Sequence, residues 1–249
     1  VLLVLGTVVC FGWVIHSSPL VQVHRDLVAM KFNTALCFAL LGLSILLWAG
    51  DMRGLSLAAA GACLLLSGLV LSQHIFDVSL GVDTLFVYPF TYRPGETPGR
   101  ISVYTSASFV ALSLTMLVQR ASRRRVWVLV AVFAVCAGVQ VLTSAGLIGY
   151  ASGFRLPTAG GTSMAIHTTL GLMAASWAAI GVNWPHGEPR PRALIHSVLV
   201  TPVAATIFAL VILGWIYAAT PIGEARLPER PVWPVLAVLA VAACMVSAA

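Results

Sequence analysis

The sequence predicts an all-α fold, a polytopic membrane helix bundle with about eight transmembrane helices. Of its 249 residues, 59% are hydrophobic and only 9% are charged, whereas a soluble domain carries about 25% charged residues. The apolar residues also form long runs, and a helix needs about 20 of them to cross the hydrocarbon core of a bilayer. Lipid is therefore the expected solvent for most of the molecular surface.

Eight apolar runs define the predicted helices, and the breaks between them are polar or rich in Gly and Pro. The runs are 1–15, 29–50, 55–73, 101–119, 126–147, 162–183, 193–218 and 231–249. Together they form a single transmembrane domain, 1–249. We interpret the first run as a truncated membrane helix because no small-residue cleavage site follows it. Any soluble output domain is expected beyond residue 249.

The distribution of basic residues in the breaks predicts the orientation of the bundle. Two alternating sets of breaks contain equal numbers of Lys and Arg, but one set is short and compact, which is where the positive-inside rule applies. This set contains Arg53, the turn 120–125, Arg190 and Arg192. We therefore predict that both termini are cytoplasmic and that the longer breaks face outward. These outward breaks are 16–28, 74–100, 148–161 and 219–230.

Three helices begin with similar sequences, which indicates an internal repeat. The segments are 30–36 (MKFNTAL), 101–107 (ISVYTSA) and 164–170 (MAIHTTL). Each leads into a helix rich in small residues, a tight turn and a return helix. This pattern predicts a helical hairpin used three times, flanked by a single helix at each end. The repeated polar residues either cap their helices, hold helices together or line a shared site.

An ordered series of short motifs runs through the chain. The motifs are FNTALCF at 32–38, GVDTLF at 81–86, PGRIS at 98–102, MAIHTTLG at 164–171 and GWIY at 214–217, which leads to GEAR at 223–226. Over about residues 28–226, this series resembles the N-terminal multi-helix membrane sensor region of bacterial histidine kinases and diguanylate cyclases.

The resemblance implies a sensory input module of a signalling receptor, as in two-component systems, in the bacterial inner membrane. Such a module would detect a signal at the outer face and relay it through its last helix. It also implies a homodimer, since kinases and cyclases of this kind work as dimers. Within these residues no enzyme is expected, because they contain no phosphate-binding loop, nucleophile elbow or paired-carboxylate site.

Two other functions compete with the sensor. The first is a stand-alone membrane subunit that binds haem, a metal or a quinone, or that packs within a larger membrane complex. The second is a transporter, which is disfavoured because charged residues are absent from the helix middles. No nucleic-acid partner is expected, because the basic residues lie in short breaks between apolar runs.

Eight residues near the predicted outer face are candidates for ligand binding. They are Asn33, Thr34, Asp83, Arg100, Tyr104, Thr105, His167 and Thr168. Asp83 and Arg100 either form a pair that orders the outer loop or remain an exposed pair of little energetic value. Aromatic residues alternate over 86–92 and form either an interfacial belt or a lid over a hydrophobic ligand.

Four histidines share the same predicted layer and are candidates for a metal or haem site. They are His16, His24, His74 and His167. The alternative is that they cap helices and meet lipid headgroups. The five cysteines lack metal-ligand spacing and are expected to be small buried hydrophobes. Gly61, Ser67 and Gly68 are expected to mark close helix contacts.

Overall fold

The computed structural model describes residues 1–24, 27–92, 96–118, 126–152 and 164–183. The regular secondary structure in this part of the chain is all helical, and these residues contain no strand. The helices are α1 (Leu2–Val14), α2 (Ser18–Val21), α3 (Phe32–Ala49), α4 (Arg53–Ile75), α5 (Val103–Leu117), α6 (Val126–Ser152) and α7 (Ile166–Asn183). The predicted helices 193–218 and 231–249, and the basic turn 120–125, lie outside the described residues.

Within the described residues, three helices are long and apolar enough to cross a membrane: Phe32–Ala49, Arg53–Ile75 and Trp127–Leu147. Leu2–Val14 and Val103–Leu117 are also apolar but shorter. These helices indicate a membrane protein, and the predicted all-α class is confirmed for the described residues.

The helices that follow the three repeated segments pack against one another. These are α3, α5 and α7, and each also pairs with an antiparallel neighbour: α1 and α4 flank α3, α4 flanks α5, and α6 flanks α7. The rings of Phe38 and Phe109 meet edge to face with centroids 4.8 Å apart. A Cβ atom on Gly171 would lie only 2.6 Å from Cζ of Phe38. The three helices therefore form the centre of the described bundle.

Glycines bring α1 and α3 into backbone contact. A Cβ atom on Gly6 would fall on the backbone of Ala39, and one on Gly42 would fall on the backbone of Leu3. Without side chains at these positions the two helices approach closely, as in other membrane helix pairs. These contacts fix α1 tightly to the centre of the bundle.

The prediction of close contacts at Gly61 and Gly68 is wrong. Nothing lies within 4 Å of a Cβ atom built at either glycine. The packed face of α4 instead carries the buried residues Cys63, Ser67 and Val70, which follow helical spacing. The two glycines lie beside this face, so the expectation for Ser67 alone agrees with the structure.

Polar side chains link the helices inside the bundle. The hydroxyls of Ser44 and Ser56 lie 3.1 Å apart and join α3 to α4. Gln140 in α6 donates to Oγ of Ser176 in α7 at 2.6 Å. Asn183, at the end of α7, donates to the carbonyl of Thr115 in α5. In an apolar environment, side-chain packing alone allows many helix pairs to form. Hydrogen bonds of this kind specify which helices meet.

Candidate functional site

One end of the bundle carries every long connection that the structure describes, and we call it the loop end. It consists of the described residues within 15–32 and 75–103, together with Tyr150 and Met164. Three hydrogen bonds of the same kind close it: Trp13 to Met30, His74 to Ile101 and Tyr150 to Met164. In each, a ring near the end of α1, α4 or α6 donates to a carbonyl two residues before the start of α3, α5 or α7, respectively. The first two distances are both 2.8 Å.

Equivalent positions of the three repeated helix starts are buried to the same degree. The central threonines Thr34, Thr105 and Thr168 are each 2% exposed, and the residues after them, Ala35, Ser106 and Thr169, are fully buried. The three threonines therefore face the interior of the bundle. The residues before them differ: Asn33 is buried, and Tyr104 and His167 are half-buried.

For α5, the cap comes from Ser102 and not from the repeated threonine. Oγ of Ser102 accepts from the backbone N–H of Thr105 at 3.3 Å and lies 2.8 Å from its hydroxyl. This is the usual N-cap arrangement. By contrast, Lys31 precedes α3 without making a side-chain cap bond.

The predicted Asp83–Arg100 pair exists and is buried. Nε of Arg100 donates to Oδ2 of Asp83 at 2.8 Å, and the two side chains are 13% and 6% exposed. The other carboxylate oxygen accepts from Nε2 of Gln73 at 3.1 Å. Gln73 in turn accepts from the backbone N–H of Leu80 at 2.7 Å. This network joins the loop to the end of α4 and to the approach to α5, and its burial favours the loop-ordering alternative.

The same loop is also tied to α3. Nδ2 of Asn33 donates to the carbonyl of Val82 at 2.9 Å. Val82 begins a short 3-10 turn, Val82–Thr84, that contains Asp83. Asn33 therefore acts on the backbone of the turn that presents the buried carboxylate. Two of the predicted candidates are therefore connected through this turn: Asn33 bonds its backbone, and Asp83 is part of it.

Two glycines allow the loop to fold back on itself. Gly81 and Gly99 have φ angles of 72° and 74°, a region in which other residues are disfavoured. A Cβ atom on Gly99 would also overlap the carbonyl oxygen of Asp83. Gly99 is therefore required for the backbone to pass close to Asp83, which lets Arg100 reach the carboxylate of Asp83.

Sequence reasoning missed a second buried ion pair at this end. Nζ of Lys31 lies 2.7 Å from Oε2 of Glu96, and the side chains are only 6% and 5% exposed. Lys31 is the single lysine of the sequence and lies near the start of the predicted helix 29–50, at the end that the predicted topology places outside, against the usual placement of basic residues. This unusual placement of a lysine was the sequence feature that could have indicated a buried ion pair. No pattern near Glu96 marks it as the partner.

The four candidate histidines have different surroundings. His16 and His24 are exposed, and the ring of His16 lies 5.1 Å from that of Phe90. Nε2 of His74 donates a hydrogen bond to the carbonyl of Ile101. Across the described ranges, no three His, Cys, Asp or Glu side chains are grouped in a way that could hold a metal ion.

His167 lines an apolar groove. Both of its ring nitrogens are buried without a hydrogen-bond partner, although the backbone of Val21 faces the ring. The groove has a volume of about 640 Å³ and runs along α1, where Val4 and Val8 contribute, and along the segment that contains Leu20. His167 and Gln22 are the polar side chains among the residues that line this groove.

Aromatic residues of the loop pack on helix ends. The ring of Phe90 meets buried Trp13 edge to face at 4.8 Å, and Phe86 lies 6.0 Å from Phe32. Together with the two ion pairs, these contacts connect the loop to α1, α3, α4 and α5. A displacement of the loop must therefore disturb several helix ends at once.

The comparisons with known proteins add no family to this description. No protein-family model, no curated protein and no solved structure matches the chain.

Proposed function

We propose that the chain is the membrane-embedded sensory input module of a bacterial signalling receptor. A signal at the loop end, which we place on the outer side of the inner membrane, alters helix packing. The last helix passes that change to a cytoplasmic output domain. The observation that supports this proposal most is the buried Asp83–Arg100 pair with Gln73, which couples one loop to several helix ends.

A buried pair of this kind suits a switch. Removing one partner leaves an uncompensated charge in a low-dielectric place, so partly separated arrangements are costly. The loop is therefore stable when Arg100 and Gln73 both contact Asp83, and it resists small displacements. A stimulus that separates them changes the ends of α4 and α5 together. Signalling requires an element of this two-state character.

The helical hairpin used three times is part of the proposal, as are the eight spans. The three ring-to-carbonyl bonds at the loop end and the matched burial of the three threonines support the repeat. Each bond links the start of a repeated unit to the helix before it: α1 to α3, α4 to α5, and α6 to α7. The motif series described above supports the receptor role. Receptors of that kind are dimers, and we extend this to the present chain.

A second candidate function is a membrane subunit that binds a lipophilic cofactor such as a quinone. The mostly apolar groove lined by His167 and Gln22 favours it. Purification from membranes, followed by solvent extraction and absorption spectroscopy, distinguishes the two candidates. A stoichiometric cofactor supports the subunit. Its absence, together with an output domain on the natural polypeptide, supports the sensor.

The first experiment is the intact mass of the natural polypeptide, with the open reading frame read past Ala249. A chain longer by a kinase or cyclase domain supports the receptor. A chain that stops near Ala249 overturns the proposal in this form.

If an output domain is present, its activity in membranes tests the site itself. Asp83→Asn should shift basal activity, whereas Asp51→Asn, which alters an exposed pair at the opposite end of α4, should not. Equal activities of Asp83→Asn and the unchanged receptor would remove the loop end from the signalling path.

A further inference from the structure

The loop that follows α4 has an apolar outer surface, which we call the apolar cap. Its large side chains are each more than half exposed: Ile75, Phe76, Leu85, Phe86, Tyr88 and Tyr92. We infer that the apolar cap inserts into the interfacial region of the bilayer and that lipid is the partner of this surface. The loop then lies on the membrane and does not project into the aqueous phase.

At the loop end, charged side chains are buried and large apolar side chains are exposed, which is the reverse of the arrangement expected in water. Asp83, Lys31 and Glu96 have side chains that are 5–6% exposed, whereas Leu85 and Tyr88 are 67% and 70% exposed. In water, charged side chains are almost never fully buried unless paired, and contiguous exposed apolar patches mark binding surfaces. Here the charges are paired inside and the apolar side chains point out.

A loop usually stays in water because its charged groups need solvation. Here the charged groups are paired with one another inside the loop end. Both carboxylate oxygens of Asp83 are hydrogen-bonded, and Glu96 is paired with Lys31 at 2.7 Å. These groups therefore need no aqueous solvation from the outer side. Exposed Asp77 is the remaining carboxylate between residues 75 and 92.

Continuity with the helices argues for lipid over a protein partner. Ile75 is the last residue of α4, a candidate membrane span, so the apolar cap starts where that helix ends. Tyr88 and Tyr92 combine an apolar ring with a polar hydroxyl, the chemistry enriched at the headgroup level. Apolar faces of this kind enter the headgroup and acyl boundary to a depth of about 5–10 Å. This placement does not depend on the proposed sensory role.

The test uses the full chain in vesicles of phosphatidylethanolamine and phosphatidylglycerol. An environment-sensitive fluorescent amino acid replaces Leu85 in one variant and Tyr88 in another. A third variant carries it in place of His24, an exposed residue at the same end of the bundle. These positions are exposed, so the probe does not disturb the packed interior. Nitroxide groups on shallow acyl positions and aqueous iodide are compared as quenchers.

We expect the probes at positions 85 and 88 to be quenched by the lipid nitroxide and protected from iodide. The probe at position 24 should show the opposite preference. Iodide quenching at 85 and 88 as strong as at 24 would overturn the inference. Protection from both quenchers would also overturn it, because protein and not lipid would then cover the apolar cap.

Discussion

Replacing Asp83 with Asn tests whether the buried pair holds the loop end together. The substitution keeps the size of the side chain but leaves the guanidinium of Arg100, 13% exposed, without a counter-charge. Breaking a buried pair costs about 3–5 kcal/mol. Arg100 also lies 3.5 Å from the carbonyl of Val78 and keeps some solvent contact, so we expect the lower limit. A loss of about 3 kcal/mol corresponds to more than a hundredfold change in the unfolding equilibrium.

The free energy of unfolding can be measured by reversible denaturation in detergent micelles. The matched control is Asp51→Asn, because Asp51 and Arg53 also form a pair at 2.8 Å but are 80% and 57% exposed. Exposed pairs contribute about 0–1 kcal/mol. The control should therefore unfold nearly as the unchanged protein does.

A double substitution separates the charge from the shape. Asp83→Leu with Arg100→Met removes both charges and keeps apolar bulk, which is often neutral for buried pairs. It should recover much of the stability that Asp83→Asn loses. If Asp83→Asn and Asp51→Asn destabilise the protein equally, the reasoning about burial is refuted.

Three further predictions use the same unfolding measurement. Glu96→Gln should cost about 3–5 kcal/mol, because Lys31 remains charged and buried; a loss below about 1 kcal/mol would mean that the pair is solvated. Gly42→Ala should cost about 1–3 kcal/mol through overpacking against α1, and Gly61→Ala, with open space around it, should not; equal effects would contradict the close contact. Gln140→Leu should cost about 0.6–1.7 kcal/mol, the range for interhelical bonds in membranes, and an unchanged stability would show that α6 and α7 do not depend on it.

The long helices were predictable because a single property, apolar run length, determines them. The predicted 29–50 and 55–73 correspond to Phe32–Ala49 and Arg53–Ile75. The four-residue helix Ser18–Val21 was not predicted, because so short an element leaves no periodic pattern. Its Pro19 lies in the first turn, which Pro tolerates, and the same residue signals a break when read from sequence alone.

The candidate site was predictable only where its partners share one break. Asp83 and Arg100 both lie in the outward break 74–100, so their pairing could be expected from sequence. Lys31 and Glu96 are 65 positions apart, and their meeting depends on how the loop folds over α3. Gln73 lies at the end of an apolar run, and its role follows from the left-handed turn at Gly81 that returns the loop to it. The Lys31–Glu96 pair and the bonds of Gln73 both depend on tertiary geometry, which no local sequence pattern records.

The three bonds that close the loop end use three different chemical groups: an indole, an imidazole and a phenol. Each supplies one donor from a rigid ring to a carbonyl at the same distance from a helix start. What the three positions have in common is therefore a rigid ring with one donor, and not a particular amino acid. A comparison of the three connections by amino-acid identity misses this likeness, and a comparison by the position of the donor relative to the helix start finds it.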